Sequence, residues 1–316
     1  MPGQIRIITR ESRLAMWQAN FVAALLERSG HTCMLLPVKS SGDIDLVSPI
    51  YEMGIEGVFT KELDAALLNN VADIAVHSMK DIPTSLAKGL EIAAVTERGD
   101  HEDILFVKPS FTPEKAEHAI IATSSLRRRA QWLGRFPGHT IVNVRGNIDT
   151  RIKKFWEADW DGMVLAKAGV ARLGYDLTAT KNIPWMLPAP AQGTIAVVCR
   201  SDDKKNLDIV RQVNHFPTFQ CATIERAFLQ RLQGGCSAPV SAYATVENNE
   251  VHFEGGIYSA DGTMRHSIKK QYDLSRWKDS GIQAAEEIMK SDIAKRIVQE
   301  FRKSKHFNRE SEWTNL

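Results

Sequence analysis

The sequence predicts an α/β protein: two α/β domains followed by a smaller α+β domain with a three-stranded antiparallel sheet. Three observations carry this. Short apolar strands alternate with amphipathic helices from residue 5 to about residue 200, a pattern that gives parallel-rich sheets covered on both faces. Pro184, Pro188 and Pro190 then punctuate a linker. After Phe216-Pro217 the pattern changes to one helix and three strand candidates separated by hairpin-type turns. A chain of 316 residues is long enough for two or three domains with sizeable cores.

Taken in order, Ile5-Arg6-Ile7-Ile8 reads as a strand. Ser12 is placed to N-cap a helix whose apolar face is Leu14, Trp17, Phe21 and Leu25, with Gly30 as its stop. A strand over Cys33 to Val38 leads into the polar turn Ser40-Ser41-Gly42-Asp43. Residues 44–58 have no period, include Gly54 and Gly57, and read as a mobile loop. A helix over 60–70 has Leu63 and Leu67 one turn apart, and Ile74-Ala75-Val76 forms the next strand. That strand runs into His77-Ser78-Met79-Lys80-Asp81, where Pro83 forbids regular continuation. Ala119–Ala122 is a strand, 126–135 an amphipathic helix around Leu126, Ala130 and Leu133, and Ile141–Val144 a strand. A helix bearing Ile148, Ile152 and Phe155 follows, then a strand over Met163–Ala166. The strand Thr194 to Cys199 is too isolated to form a sheet alone and is expected to return to the first domain. The last part reads as a helix over 218–233, strands over 238–247, 250–258 and 263–272, a helix over about 280–302, and a polar tail that frays.

Composition excludes several classes. The chain is 43% hydrophobic and 25% charged, and its 40 Lys+Arg against 38 Asp+Glu leave a net charge of +2, so charge alone argues for neither nucleic acid nor membrane. No apolar run approaches the roughly 18 residues needed to span a bilayer. The charged start MPGQIRIITRESR lacks the apolar stretch of an export signal, and a cytoplasmic protein is expected. The four cysteines (Cys33, Cys199, Cys221, Cys236) contain no CxxC pair, no His cluster suggests bound metal, and no glycine-rich nucleotide loop is present.

The unusual residues fall directly after strands, where open α/β sheets bind ligands: Arg10 and Ser12, Lys80 and Asp81, Thr123 to Arg128, Arg145, and Lys167. Singly, each is most simply a solvated charge. Together, on two facing domains, they would point into one cleft. Residues 121–154 hold eight Arg/Lys and one acid, Asp149, which implies an anionic partner. Arginine predominates, which suits bidentate binding of carboxylate or phosphate. Nucleic acid fares worse, because only Trp132 and Phe136 offer stacking there. Asp81 either pairs with Lys80 or Arg10, or is an ionised carboxylate able to stabilise a developing cation or move a proton. Cys236, in a glycine-rich turn before Pro239, is either an inert exposed thiol or a nucleophile or attachment point.

The ordered set of motifs resembles the porphobilinogen deaminase (hydroxymethylbilane synthase) family from about residue 4 to 300. These motifs are Thr9-Arg10-Glu11-Ser12, Ala75-Val76-His77-Ser78-Met79-Lys80-Asp81-Ile82-Pro83, Thr123-Ser124-Ser125-Leu126-Arg127-Arg128, Val144-Arg145-Gly146-Asn147-Ile148-Asp149-Thr150-Arg151, Ala168 to Gly174, and Gly234-Gly235-Cys236. The resemblance implies two domains like periplasmic binding proteins and a third carrying the cofactor cysteine. We expect these as 1–98 with 193–213, 99–192 and 216–303, then the tail 304–316. It implies a monomeric transferase of haem and other tetrapyrrole biosynthesis that condenses four porphobilinogen units, with loss of ammonia, into hydroxymethylbilane. The primer is a dipyrromethane held by a thioether to Cys236. It further implies Asp81 as the catalytic carboxylate, and Ser78, Lys80, Thr123, Ser124, Ser125, Arg127, Arg128 and Arg151 as cofactor contacts. Arg10, Ser12, Arg145, Gly146, Asn147, Arg172 and Gln192 would bind substrate, with no metal, nucleic acid or membrane involved. The alternative is a non-catalytic two-domain anion-binding protein. The chain departs from the family's pattern at Gly54-Ile55-Glu56-Gly57-Val58-Phe59 (Lys is usual at 56), at Ser41, at Pro190-Ala191-Gln192-Gly193 (Val-Gly-Gln-Gly is common) and at Arg13 (Pro is frequent).

Overall fold

The computed structural model describes residues 4–39, 60–109, 111–232 and 239–313, with side chains as far as Arg302. The Ser40–Asp43 turn, the 44–58 loop with Glu56, and Gly234-Gly235-Cys236 therefore lie outside the described residues.

Three sheets organise the chain. The first has strand order β2-β1-β3-β10-β4, made of β1 (Ile5–Arg10), β2 (Cys33–Val38), β3 (Ile74–Ser78), β4 (Leu90–Val95) and β10 (Ile195–Arg200). The second has order β7-β6-β8-β5-β9, from β5 (Asp103–Val107), β6 (Ile120–Ala122), β7 (Thr140–Val142), β8 (Gly162–Ala166) and β9 (Thr180–Asn182). In each, a parallel trio is joined by one antiparallel strand: β10 in the first sheet, β5 in the second. The third is the antiparallel meander β11 (Val240–Glu247), β12 (Glu250–Tyr258) and β13 (Arg265–Asp273). The chain thus leaves the first lobe after β4 and re-enters it at β10, so the isolated strand near Thr194 does return to the first sheet.

The two crossings lie side by side. Thr96 N donates to Ile195 O at 3.0 Å and Gly99 N to Gly193 O at 3.1 Å. Gly193 has φ +86°, and a Cβ there would sit 2.7 Å from both Gly99 O and Asp100 O, so only glycine lets the strands approach this closely.

Helix α1 (Arg13–Arg28) starts on the Ser12 cap and ends in a Schellman arrangement, with Gly30 at φ +86° and His31 N donating to Leu26 O at 3.2 Å. The face it buries against its own sheet is Ala15, Gln18, Ala19, Val22, Ala23 and Leu26, not the expected Leu14, Trp17, Phe21 and Leu25. Leu14 and Trp17 lie toward the second lobe, although Trp17 also packs against the first lobe's core. The Arg172 guanidinium lies 5.5 Å from the Trp17 ring, and Leu14 approaches Gly169. Phe21 stacks on Trp17 at 5.4 Å and stays exposed. Arg13, in N1, pairs across the lobes with Asp149, which also accepts from Tyr175 Oη at 2.5 Å. Helix α2 (Lys61–Leu68) buries Leu63 and Leu67 as expected.

In the second lobe, α3 (Leu126–Arg135) buries Arg127, Arg128, Ala130, Gln131 and Trp132. The apolar period through Leu126 and Leu133 therefore misreads the inner face, which is largely polar. Helix α4 (Ile148–Glu157) buries Ile152 and Phe155. The short α5 (Lys167–Arg172), α6 (Lys204–Arg211) and strands β4, β5 and β9 were not legible from periodicity.

The third lobe packs α7 (Phe216–Arg231) and α8 (Trp277–Ile288) on the meander, around Phe228, Phe253, Val251 and Ile288. The single helix expected over 280–302 is two. Met289 caps α8, its N–H donating to Ala285 O, and Lys295 N donates to Ser291 O to start α9 (Asp292–Trp313). The 304–316 tail is likewise helical through Trp313 rather than frayed.

Glu225, fully buried on α7, joins all three lobes. Its carboxylate accepts from Arg98 Nη1 at 2.8 Å and Nη2 at 2.6 Å, from Ala191 N at 2.6 Å and from Ala244 N at 2.8 Å. Removing one partner of a buried pair strands the other charge, so Arg98→Ala should lose about 3–5 kcal/mol of stability. Urea unfolding followed by circular dichroism would measure it.

Candidate active site

The site is built where the first and second lobes meet. Strand β3 ends at Ser78 and turns at once into a 3-10 turn, Met79–Asp81, which holds Lys80 and Asp81 at the strand's C-terminal end. Met79 is buried beneath it and Met79 N donates to Thr194 O at 2.9 Å. Gln18 Nε2 donates to Ser78 Oγ at 2.8 Å. His77 is buried beside Arg10; burial, and then the Arg10 charge, push its pKa down to about 4, so it is neutral at pH 7.

On the second lobe, Ser125 caps α3 through the Arg128 N–H and so fixes the two arginines that follow it. Both converge on Asp103, at the start of β5. Arg128 Nε and Nη2 donate to its Oδ1 at 3.1 and 2.8 Å, and Arg127 Nη1 lies 2.7 Å from Oδ2. Gln192 Nε2 adds bonds to Asp103 Oδ1 at 3.0 Å and to His101 O at 2.8 Å. Burial alone would raise the Asp103 pKa, but Arg127 and Arg128 reverse this and hold the carboxyl below its ordinary value.

Asn147 caps α4, accepting from Thr150 N at 2.9 Å, and Arg151 Nε donates to Gly146 O at 2.7 Å. Burial, then repulsion from Arg128, Arg145 and Arg10, push the Arg151 pKa down to about 10, while Asp81 opposes the shift. Lys80 comes down to about 8: burial lowers it most, Asp81 and Asp103 raise it, and Arg128 and Arg127 lower it. Lys80 keeps some solvent contact despite this desolvation, as a group at the bottom of a crevice does. Arg10, Lys80 and Asp81 of the first lobe and Arg127, Arg128, Arg145 and Arg151 of the second thus form one electrostatic cluster in which cations outnumber carboxylates. Among the described residues Asp81 makes no close ion pair with Lys80 or Arg10, yet its charge is felt by Lys80, Arg128 and Arg151.

Other expected site residues have structural partners. Ser12 and Asn147 are helix caps. Ser124 Oγ exchanges hydrogen bonds with the Val144 backbone at 2.9 Å, and Thr123 Oγ1 accepts from Ser125 N at 3.3 Å. Arg172 donates to Gly193 O at 2.7 Å, tying α5 to the crossing. Cys236 lies outside the described residues. The sequence reading missed Asp103, Arg98, Glu225 and Arg226. An acid opening the apolar strand Asp103-Ile104-Leu105-Phe106-Val107, or set between Ile224 and Phe228 on a helix, was the available signal for the two carboxylates.

Fold and cluster together give a two-lobed α/β chain with a third lobe, in which cations gather where the first two lobes meet and the carboxylate of Asp81 sits on a short turn. The chain belongs to the porphobilinogen deaminase family. Residues 5–208 match the family's dipyrromethane cofactor binding domain and residues 219–290 its C-terminal domain. A porphobilinogen deaminase of Chlorobium luteolum is 41% identical over 313 residues, covering 96% of this chain and all of that one. One of Carboxydothermus hydrogenoformans is 39% identical over 308 residues, covering 96% and 99%. A periplasmic substrate-binding protein of an ABC transporter from Coxiella burnetii overlays 71% of this chain and 97% of its own, at a TM-score of 0.43 and 12% identity. The chain is accordingly a tetrapyrrole-forming transferase with a dipyrromethane cofactor. Among the described residues no helix is long and apolar enough to cross a membrane.

A carboxyl whose folded pKa is lowered adds stability above the ordinary carboxylate range and loses it as pH falls through and below that range. Asp103→Asn should therefore be less stable at neutral pH and lose part of the parent's acid sensitivity. Unfolding midpoints between about pH 7 and 3 would show both effects.

Proposed function

We propose that this chain condenses four porphobilinogen molecules in sequence on a dipyrromethane primer joined by a thioether to Cys236, and then releases hydroxymethylbilane. The observation that carries the reading is the cross-lobe cation cluster around Asp81. Its donor set fits a polycarboxylate: Lys80 and Arg151 are held below their ordinary pKa values by burial and by one another's neighbours, so a bound carboxylate relieves the cost of keeping them charged. Lys80, Ser78, Thr123, Ser124, Ser125, Arg127, Arg128 and Arg151 would hold the cofactor, which supplies the nucleophilic pyrrole carbon. Arg10, Ser12, Arg145, Gly146, Asn147, Arg172 and Gln192 would bind the incoming substrate. Each charge-assisted hydrogen bond contributes roughly 1.5–3 kcal/mol net.

In each condensation the aminomethyl C–N bond of porphobilinogen breaks, ammonia leaves, and a C–C bond forms to the growing chain, whose reacting carbon then gives up a proton. Water, in the last step, takes the place of the next pyrrole. Asp81, carried on a turn clamped at both ends, is placed to stabilise the electron-poor pyrrole left by ammonia loss and to move the proton. The assignment of Cys236 gains support from the other cysteines. Burial, with the nearby carboxylates Glu27, Asp203 and Glu225 respectively, pushes Cys33 up to about 11, Cys199 up to about 12 and Cys221 up to about 11, which leaves their thiols protonated and poorly nucleophilic. Three domains with the limits 1–98 plus 193–213, 99–192 and 216–303, a monomeric state and a cytoplasmic location complete the proposal.

Asp81→Ala should lower kcat by about 10²–10⁴-fold while the fold is retained, measured by steady-state assay and circular dichroism. A parent-like rate would remove Asp81 from the mechanism. Intact mass under denaturing conditions should exceed the polypeptide by two porphobilinogen units less two ammonia, with the adduct mapping to Cys236 and absent from Cys236→Ala. An adduct on Cys33, Cys199 or Cys221 would overturn the assignment. Because Lys80 titrates near 8, porphobilinogen binding to the Cys236→Ala protein should weaken above that pH and be accompanied by proton uptake. Lys80→Met should remove both effects, as read by calorimetry in buffers of different ionisation enthalpy.

A further inference from the structure

Arg226 belongs to α7 in the third lobe, yet its guanidinium reaches the first lobe and is spent on the turn that carries Lys80 and Asp81. Nη1 donates to Met79 O at 3.3 Å and to Ile82 O at 2.9 Å, and Nη2 donates to Pro83 O at 2.6 Å. These carbonyls flank a single 3-10 turn, whose own closing bond is Ile82 N to Met79 O at 3.2 Å. Pro83 cannot extend the turn, because it has no N–H to donate and it disfavours helical backbone at Ile82. A planar guanidinium meets Ile82 O and Pro83 O at once and adds a second donor to Met79 O. One helical turn further on, Gln230 Nε2 adds a bond to Ser85 Oγ at 3.3 Å.

We infer that Arg226 is a positioning residue for Asp81, acting through the backbone of residues 79–83 rather than by touching the reacting groups. The inference rests on Asp81 being the group that handles the proton. Gln18 on Ser78 and Thr194 O on Met79 N support its N-terminal end. Arg226 alone among the described side chains grips the C-terminal end, next to Asp81. Helix α7 also ends at Arg231, five residues before Cys236, so one helix both leads to the proposed attachment point and sets the carboxylate. Misplacing a catalytic group by about 1 Å costs up to about 10²-fold in rate.

The test compares Arg226→Gln, Arg226→Lys and Arg226→Ala in the full chain with the Asp81→Ala variant. The readouts are kcat, KM for porphobilinogen, intact mass for the adduct, and the thermal midpoint. The adduct should be retained in all three Arg226 variants. In Arg226→Gln, kcat should fall by about 10- to 100-fold with KM changed by less than about threefold. Arg226→Lys should lose less, and guanidinium ion should restore part of the rate of Arg226→Ala. Parent-like kcat in Arg226→Gln, or a loss that follows the thermal midpoint and is not rescued by guanidinium, would overturn the inference. Should Arg226→Gln not fold, Arg226→Lys decides by the same KM-against-kcat criterion. A parent-like Asp81→Ala would instead remove the reading of Asp81 on which the inference rests. An inactive Asp81→Ala beside a fully active Arg226→Gln would sink the positioning role alone.

Discussion

The buried carboxylate of Glu225 is the constraint on which the arrangement of the lobes depends. It has no solvent exposure, and its two oxygens are shared among Arg98 before the first crossing, Ala191 before the second, and Ala244 on β11. A charge in such a place is tolerated only with every acceptor site used. Satisfying it fixes both crossings relative to the third lobe. Arg98 is held from its other sides as well, by Thr194 Oγ1 at 3.3 Å and by the Tyr243 ring at 5.4 Å, while His101 stacks on the same ring at 3.9 Å. The link is one of specificity more than of net stability, since apolar residues of similar volume can match the energy of a buried ion pair but cannot fix which backbone N–H groups meet.

From that junction the cleft follows through short covalent distances. Ala191 precedes Gln192, and Gln192 delivers its amide to Asp103, the counter-charge of Arg127 and Arg128. Asp103 thereby holds two guanidiniums in place from a buried position. Of the other cations, Lys80 and Arg151 are lowered most by burial, with Asp81 acting against the shift in each. On the proposed reading, each porphobilinogen unit added brings further carboxylates to these cations.

Much of this was legible in the sequence because strand ends and helix caps are local. Cys33 to Val38 and the helix 126–135 came out with the right limits, and Ser12 does cap α1 as its position suggested. Two of the failures came from contacts distant in sequence. The large side chains of α1 pointed to an apolar face through Leu14 and Trp17, but these lie toward the second lobe, and the buried face runs through Ala15, Gln18, Ala19, Val22, Ala23 and Leu26. The inner face of α3 carries arginines because Asp103, more than twenty positions earlier, neutralises them. Periodicity assumes that the inside is apolar, and it errs where a buried ion pair makes a polar face the inner one.

The second crossing shows how a departure from the family's pattern is absorbed. Ala191 replaces a common glycine and adopts φ +61°, a left-handed conformation that costs a residue with a Cβ about 1–2 kcal/mol. Its methyl is fully buried in the first lobe's core, which returns about 0.8 kcal/mol, and alanine gives up less backbone entropy on folding than glycine, by about 0.4–1 kcal/mol. The opposing contributions nearly cancel, so the alanine is tolerated at little net cost. Its effect falls instead on the range of motion. Pro190 fixes its own φ, Ala191 has few alternatives to its left-handed well, and its N–H is committed to Glu225. Gly193 is held as well: its carbonyl accepts from Gly99 N at 3.1 Å and from Arg172 Nη2 at 2.7 Å, and the neighbouring strand leaves no room for a Cβ there, so this crossing is braced along its length.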